Sequence, residues 1–89
     1  MNMITQENLK RVATFCSLSY NMGLNPLPIL RKKWGGEVEF LYSIKSETSG
    51  FRPSDDENTV VIWVDSSGTV EAHYWRNGDF QLEAESLNI

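Results

Sequence analysis

Apolar and β-branched residues crowd into Thr59–Asp65, leaving almost nothing polar on either side of the run. That is the pattern of a strand with neighbours on both edges. A second run, Val70–Trp75, follows the segment Asp65-Ser66-Ser67-Gly68-Thr69. The segment fits a type I turn closed by a left-handed residue, because Gly68 takes a positive φ without a Cβ clash. With Asp65 facing Thr69, the spacing predicts Val64 against Val70, Ile62 against Ala72 and Val60 against Tyr74 on a core face. Trp63 then lies opposite Glu71, and Val61 opposite His73, on the other face.

A second turn at Arg76-Asn77-Gly78 admits two registers. A two-residue type I′ turn pairs Arg76 with Asp79 and puts Phe80 and Leu82 on the outer face beside Trp75 and His73. A three-residue loop pairs Trp75 with Asp79 and sets Tyr74, Ala72 and Val70 against Phe80, Leu82 and Ala84. The second choice is expected, because it removes more apolar area from water.

Earlier in the chain the period changes. Leu9, Val12, Ala13, Cys16 and Tyr20 recur at helical spacing, predicting a helix over Gln6–Met22 with one buried stripe. Thr5 is its expected N-cap, Glu7 complements the positive end of its dipole, and Gly23 supplies the left-handed stop. Phe15 and Leu18 fall off the stripe, so a second element is expected over that flank. Asn25 and Pro26 read as the cap and first turn of a short helix running to Trp34 and ending at Gly35-Gly36. Glu37–Lys45 alternates, with Val38, Phe40, Tyr42 and Ile44 on one side and Glu37, Glu39, Leu41 and Ser43 on the other. Residues 46–58 read as a connection between strands, rich in turn-forming and acidic residues.

Together these elements predict an α+β fold: one long and one short N-terminal helix packed on one face of a four-stranded antiparallel β-meander, as a single domain over residues 1–89. The opposite sheet face is expected to stay open and to carry Glu37, Glu39, Leu41, Val61, Trp63, Glu71, His73, Trp75, Gln81 and Glu83. Two indoles fringed by carboxylates on a wet face resemble an interface core with a polar rim. The candidate partner-binding residues are therefore Trp63, Trp75, His73, Glu71, Glu37, Glu39 and Leu41. The competing structural account is that the loop of residues 46–58, the C-terminal tail or a second copy covers both rings.

Charge sharpens this picture. The net charge is −4, yet residues 1–45 carry six Lys or Arg against three Asp or Glu, while residues 46–89 carry two against nine. The strongly acidic half argues against binding phosphate backbones and for steering toward a basic partner. The cluster Arg31-Lys32-Lys33-Trp34 is explained by the negative end of a short helix, and Pro26 and Pro28 exclude a helix-turn-helix reading head. A single cysteine excludes an internal disulfide, and the start lacks a signal peptide or membrane span, which places the protein in the cytoplasm.

Catalytic chemistry finds little footing. His73 shares a strand face with Glu71, which permits a general base, but no nucleophile, phosphate loop or metal-ligand spacing accompanies it. Cys16 sits on a helix stripe without an activating base, and Asp55-Asp56-Glu57 lacks the spacing of a calcium loop. The expectation is a non-enzymatic domain with no cofactor, no metal and no direct nucleic-acid contact. It reads as a small acidic protein-binding domain of inhibitor or immunity type that occupies a basic, nucleic-acid-binding surface of another protein. The alternative is a self-associating subunit of a larger assembly.

Overall fold

The computed structural model describes residues 4–34, 38–44 and 58–87. Thr5 caps the first helix in extended conformation, its Oγ1 accepting from the Asn8 amide at 3.1 Å, and helix α1 runs from Gln6 to Asn21. Its end is a full Schellman closure: Gly23 has φ +71°, its amide donates to Tyr20 O at 3.0 Å, and the Leu24 amide donates to Ser19 O at 2.8 Å. Leu9, Val12, Ala13, Cys16 and Ser19 are its buried positions. The expected stripe is thus shifted at its last turn, where Tyr20 is exposed and the smaller Ser19 turns inward.

Helix α2, Leu27–Trp34, starts where Asn25 Oδ1 accepts from the Leu27 amide at 3.0 Å. The Pro26 carbonyl takes the first helical bond from Leu30 at 3.1 Å. The expected stop at Gly35-Gly36 lies outside the described residues.

Four strands follow, β1 (Glu39–Ile44), β2 (Thr59–Val64), β3 (Val70–Arg76) and β4 (Asp79–Glu85), in the spatial order β1-β2-β3-β4. The β2–β3 hairpin has the expected register throughout, Val64 against Val70 to Val60 against Tyr74. Its turn is closed by Asp65, whose Oδ1 accepts from the amides of Ser67 at 2.9 Å and Thr69 at 3.1 Å. Gly68 has φ +87°, and its carbonyl accepts from Ser17 Oγ of α1 at 2.8 Å.

Two expectations are corrected. The sheet is mixed rather than antiparallel: β1 pairs with β2 in parallel, Glu39 beside Thr59 through Ile44 beside Val64. Alternation specifies which residues share a face but not which way a strand runs. The connection of residues 45–58 also has the length a parallel crossover needs, about a dozen residues or more. The expected loop reading of that segment lies outside the described residues, apart from Asn58.

The second correction concerns β4. Arg76 pairs with Asp79 across a two-residue turn in which Asn77 (φ 53°) and Gly78 (φ 81°) are both left-handed, as a type I′ turn demands. The three-residue loop is therefore wrong, and its pairing of Tyr74, Ala72 and Val70 with Phe80, Leu82 and Ala84 is not found, although Leu82 and Ala84 keep their core facing. A β-bulge between Tyr74 and Trp75 leaves Gln81 as the extra residue, so Trp75 faces Phe80 while Tyr74 faces Leu82 and Ala72 faces Ala84. Phe80 goes to the outer face, and Leu82 and Ala84 return to the core. The Gln81 side chain secures the bulge by donating to Arg76 O at 3.1 Å and Asp79 O at 3.3 Å.

The core lies between the helices and one sheet face, built from Leu9, Val12, Ala13 and Cys16 of α1, Leu30 of α2, and Phe40, Val60, Ile62, Val64, Val70, Ala72 and Tyr74 of the sheet. Helix α1 lies across β3 and β4, and α2 beside β1. Past β4, Ser86 extends the ladder: its amide donates to Val70 O at 2.8 Å, and its Oγ accepts from the Val70 amide at 3.0 Å.

Candidate functional site

The face away from the helices takes every second residue of each strand: Glu39, Leu41 and Ser43 of β1, Thr59, Val61 and Trp63 of β2, Glu71, His73 and Trp75 of β3. The bulge adds Phe80, Glu83 and Glu85 of β4. The expectation of a uniformly open surface does not hold. Val61 is 1% exposed and Trp75 4%, so the end of the face near the start of β2 is closed. Trp63, His73, Phe80, Leu41 and Glu71 are half-buried, while Glu39, Glu83 and Glu85 are exposed.

At the centre is a cluster of four rings. Phe80 touches Trp75 edge-on at 5.0 Å between centroids and His73 at 5.4 Å, and lies 6.2 Å from Trp63. Trp63 and His73 are closer still, at 4.6 Å and tilted by 52°. Edge-to-face packing of this kind is favoured by ring quadrupoles beyond the area it buries. Trp63 and Trp75 do share one face, as expected, but they differ in role. Trp75 is the buried support beneath Phe80, and Trp63 is the indole that still meets solvent.

Carboxylates frame His73. Its Nε2 lies 3.8 Å from Glu71 Oε1 on its own strand, and its Nδ1 lies 3.9 Å from Glu83 Oε2, directly across the ladder on β4. Both distances are beyond a hydrogen bond and act as charge–charge contacts when the imidazole carries its second proton. The His73 side chain is only 12% exposed, whereas that of Glu83 is 81% exposed. Two polar ring atoms in the cluster, Trp63 Nε1 and His73 Nε2, are buried and have no hydrogen-bond partner among the described residues.

The edge of the site is a cleft of about 230 Å³ along β4, where Gln6 and Lys10 of α1 come up beside Glu71, His73, Glu83 and Glu85. Gln6 Nε2 donates to Glu83 O at 2.8 Å, holding the first turn of α1 against the edge strand.

Of the predicted partner-binding residues, the structure brings together Trp63, His73, Glu71 and, beneath them, Trp75. Glu39 and Leu41 lie on the same face but on β1, the far strand, where Glu39 Oε1 is 3.8 Å from Arg31 Nη2 of α2. Glu37 lies outside the described residues. Phe80 was expected on the core side, and Glu83, though expected on this face, was not among the predicted partner-binding residues. The signal for Phe80 was Asn77-Gly78, a strong two-residue hairpin pair, which fixes Phe80 opposite Trp75, whereas Glu83 comes to lie opposite His73 only through the bulge.

Other chemistry is sparse. Cys16 is fully buried, and burial pushes its thiol up to about 12, so it is held as an inert thiol. Among the described residues no group of three or more His, Cys, Asp or Glu is placed to hold a metal ion, and no helix is long and apolar enough to cross a membrane. The fold and face define a two-layer α+β domain with a mixed sheet and an aromatic, anion-rimmed outer surface. Comparison with protein-family models, with curated proteins and with solved structures finds no match.

Proposed function

We propose that this is a non-catalytic protein-binding domain whose outer sheet face engages a basic surface of a partner protein. The observation that carries the reading is the half-buried contact of Trp63 with His73 and Phe80, framed by Glu71 and Glu83. A flat ring at the centre of charged neighbours suits an arginine or lysine: the indole offers cation–π stacking, and the surrounding carboxylates supply the counter-charge. Aromatic centre and polar rim is also how interfaces concentrate their binding energy.

The biological role that fits is occupation of a nucleic-acid-binding surface by an inhibitor or immunity-type protein. Such a surface is basic, and the second half of this chain carries nine carboxylates against two cations. A buried, unpaired cysteine agrees with action in the reducing cytoplasm.

Titration of ¹⁵N-labelled protein with an arginine-rich peptide, and separately with polyglutamate, tests the reading. The arginine-rich peptide is expected to move the Trp63 indole N–H and the amides of His73, Phe80 and Glu83, with an affinity that falls as salt rises. Equal response to both polymers, or shifts confined to other faces, overturns it. If dilution of the protein alone moves the same resonances, the face meets a second copy and the domain is a self-associating subunit instead.

A further inference from the structure

We infer that the domain has a second docking site on its helical side, a groove between α1 and α2 that takes an acidic amphipathic helix of a partner protein. Helix α1 lies across β3 and β4 while α2 stands beside β1, so the helical layer is split. The split is a groove of about 280 Å³ floored by Val12, Phe15, Leu30 and Trp34, with Ile29 on its lip. Ile29 is 59% exposed, and an isoleucine left in water beside an apolar trough is surface that a partner would cover. Arg11 and Lys33 complete the walls, one from each helix.

The charge around the groove selects the occupant. Helix α2 has no acidic residue in its first turn and carries Arg31, Lys32 and Lys33 in its last. The acid available on α1 is Glu7, which holds Arg11 at 2.9 Å through a pair whose side chains are both more than two-thirds exposed. An exposed pair of this kind contributes little and exchanges readily for another carboxylate. Helix-in-groove recognition needs apolar anchors at i, i+3, i+4 and i+7 with complementary charge on the flanks, and here the complement is Asp or Glu. Neither α1 nor α2 of a second copy qualifies, since both are basic or nearly neutral. The fourteen residues of β3 and β4, in contrast, put acidic groups on the other side of the molecule. The domain thus presents surfaces of opposite charge on opposite sides, which fits a bridge between two different partners.

The test uses a synthetic amphipathic peptide with leucines at helical spacing and glutamates on both flanks, together with a lysine-flanked version and a scrambled one. Titrated into labelled protein, the acidic peptide is expected to shift Phe15, Ile29, Leu30 and Trp34, and to bind more weakly as salt rises. The exposed substitution Ile29→Asp, and the pair Arg11→Glu with Lys33→Glu, are each expected to weaken it by roughly tenfold. Trp63→Ala is expected to leave it unchanged, which separates this site from the sheet face. Equal binding of the lysine-flanked peptide, or shifts outside the groove, overturns the inference. Concentration-dependent dimerisation that moves the groove residues without peptide overturns it as well, by making a second copy the occupant.

Discussion

Trp63 and His73 pack ring against ring at 4.6 Å although they are not direct partners in the ladder: Trp63 faces Glu71, and His73 faces Val61. The contact runs across the diagonal of the hairpin, within reach of large side chains on one sheet face. It places the solvent-facing indole over the imidazole, while Trp75 lies beneath Phe80.

The two indoles should therefore respond differently to truncation. Trp75→Ala removes a nearly buried ring and is expected to cost about 3–5 kcal/mol. Trp63→Ala gives up only a half-buried ring and its aromatic contacts, about 1–2 kcal/mol. Urea unfolding of both variants checks this. Equal losses would show that Trp63 is a core residue and remove the centre of the proposed interface.

Gly68 is set by two constraints at once. Its φ of +87° disfavours any side chain, and a Cβ there would lie 2.8 Å from Asn21 Oδ1 at the end of α1. Gly23 has a similar φ of +71° with open space around it. Gly23→Ala is expected to cost about 1–2 kcal/mol from the backbone alone. Gly68→Ala should cost more, and Asn21→Ala in the same chain should recover the steric share but not the rest. Thermal unfolding of the three variants separates the two parts, and identical losses for the two glycines would refute the clash.

The bulge at Gln81 makes a distinct prediction. Gln81→Ala keeps the extra residue and loses only side-chain bonds to Arg76 and Asp79, for about 1 kcal/mol. Deleting Gln81 leaves a regular ladder with the facing unchanged, Phe80 opposite Trp75, Leu82 opposite Tyr74 and Ala84 opposite Ala72, and is likewise expected to cost only about 1 kcal/mol. Denaturant midpoints for the substitution and the deletion should therefore be similar. A much lower midpoint for the deletion would mean that Leu82 and Ala84 lose their core facing without the extra residue, against the observed register.

Cys16 gives the fold an alkaline limit. Burial raises the thiol from its ordinary 9.0 to about 12, so between those values the unfolded chain has released a proton that the folded chain still holds. Stability is therefore full below pH 9 and falls as pH rises toward 12, by up to about 1.4 kcal/mol per pH unit. Tyr42 is displaced in the same direction, by burial first and then by the charges of Cys16 and Tyr20, and adds to the decline. Unfolding followed from pH 8 to 11 should show this slope, and Cys16→Ala should flatten it. A thiol reagent should modify Cys16 only in denaturant; fast reaction at neutral pH would contradict the burial.

Local rules made much of this legible. Thr5 and Gly23 delimit α1 because a cap hydroxyl and a left-handed glycine act within one turn, and the β2–β3 register follows from a five-residue turn and a period of two. Where the chain hid its structure, the deciding interaction was distant or the local signals conflicted. The direction of β1 depends on its connection to β2 and leaves no trace in alternation. In β4, apolar area argued for one register and Asn77-Gly78 for another, and the bulge satisfied both. Half of the aromatic site, Trp63 with His73, followed from the first hairpin, whereas Phe80 and Glu83 depended on the second. The α1–α2 groove left only a faint sign, in Phe15 lying off the buried stripe.

The parallel seam between β1 and β2 has a kinetic meaning. Strands β2 to β4 are joined by tight turns and assemble by local closure, but β1 meets β2 only after the stretch of residues 45–58 has been looped. The first strand in the sequence is then expected to dock last. With α2 lying beside it, the β1 edge becomes the sub-structure that detaches first under mild denaturant, and backbone amides of Phe40 and Tyr42 exchange with solvent ahead of those in Val60 and Ile62.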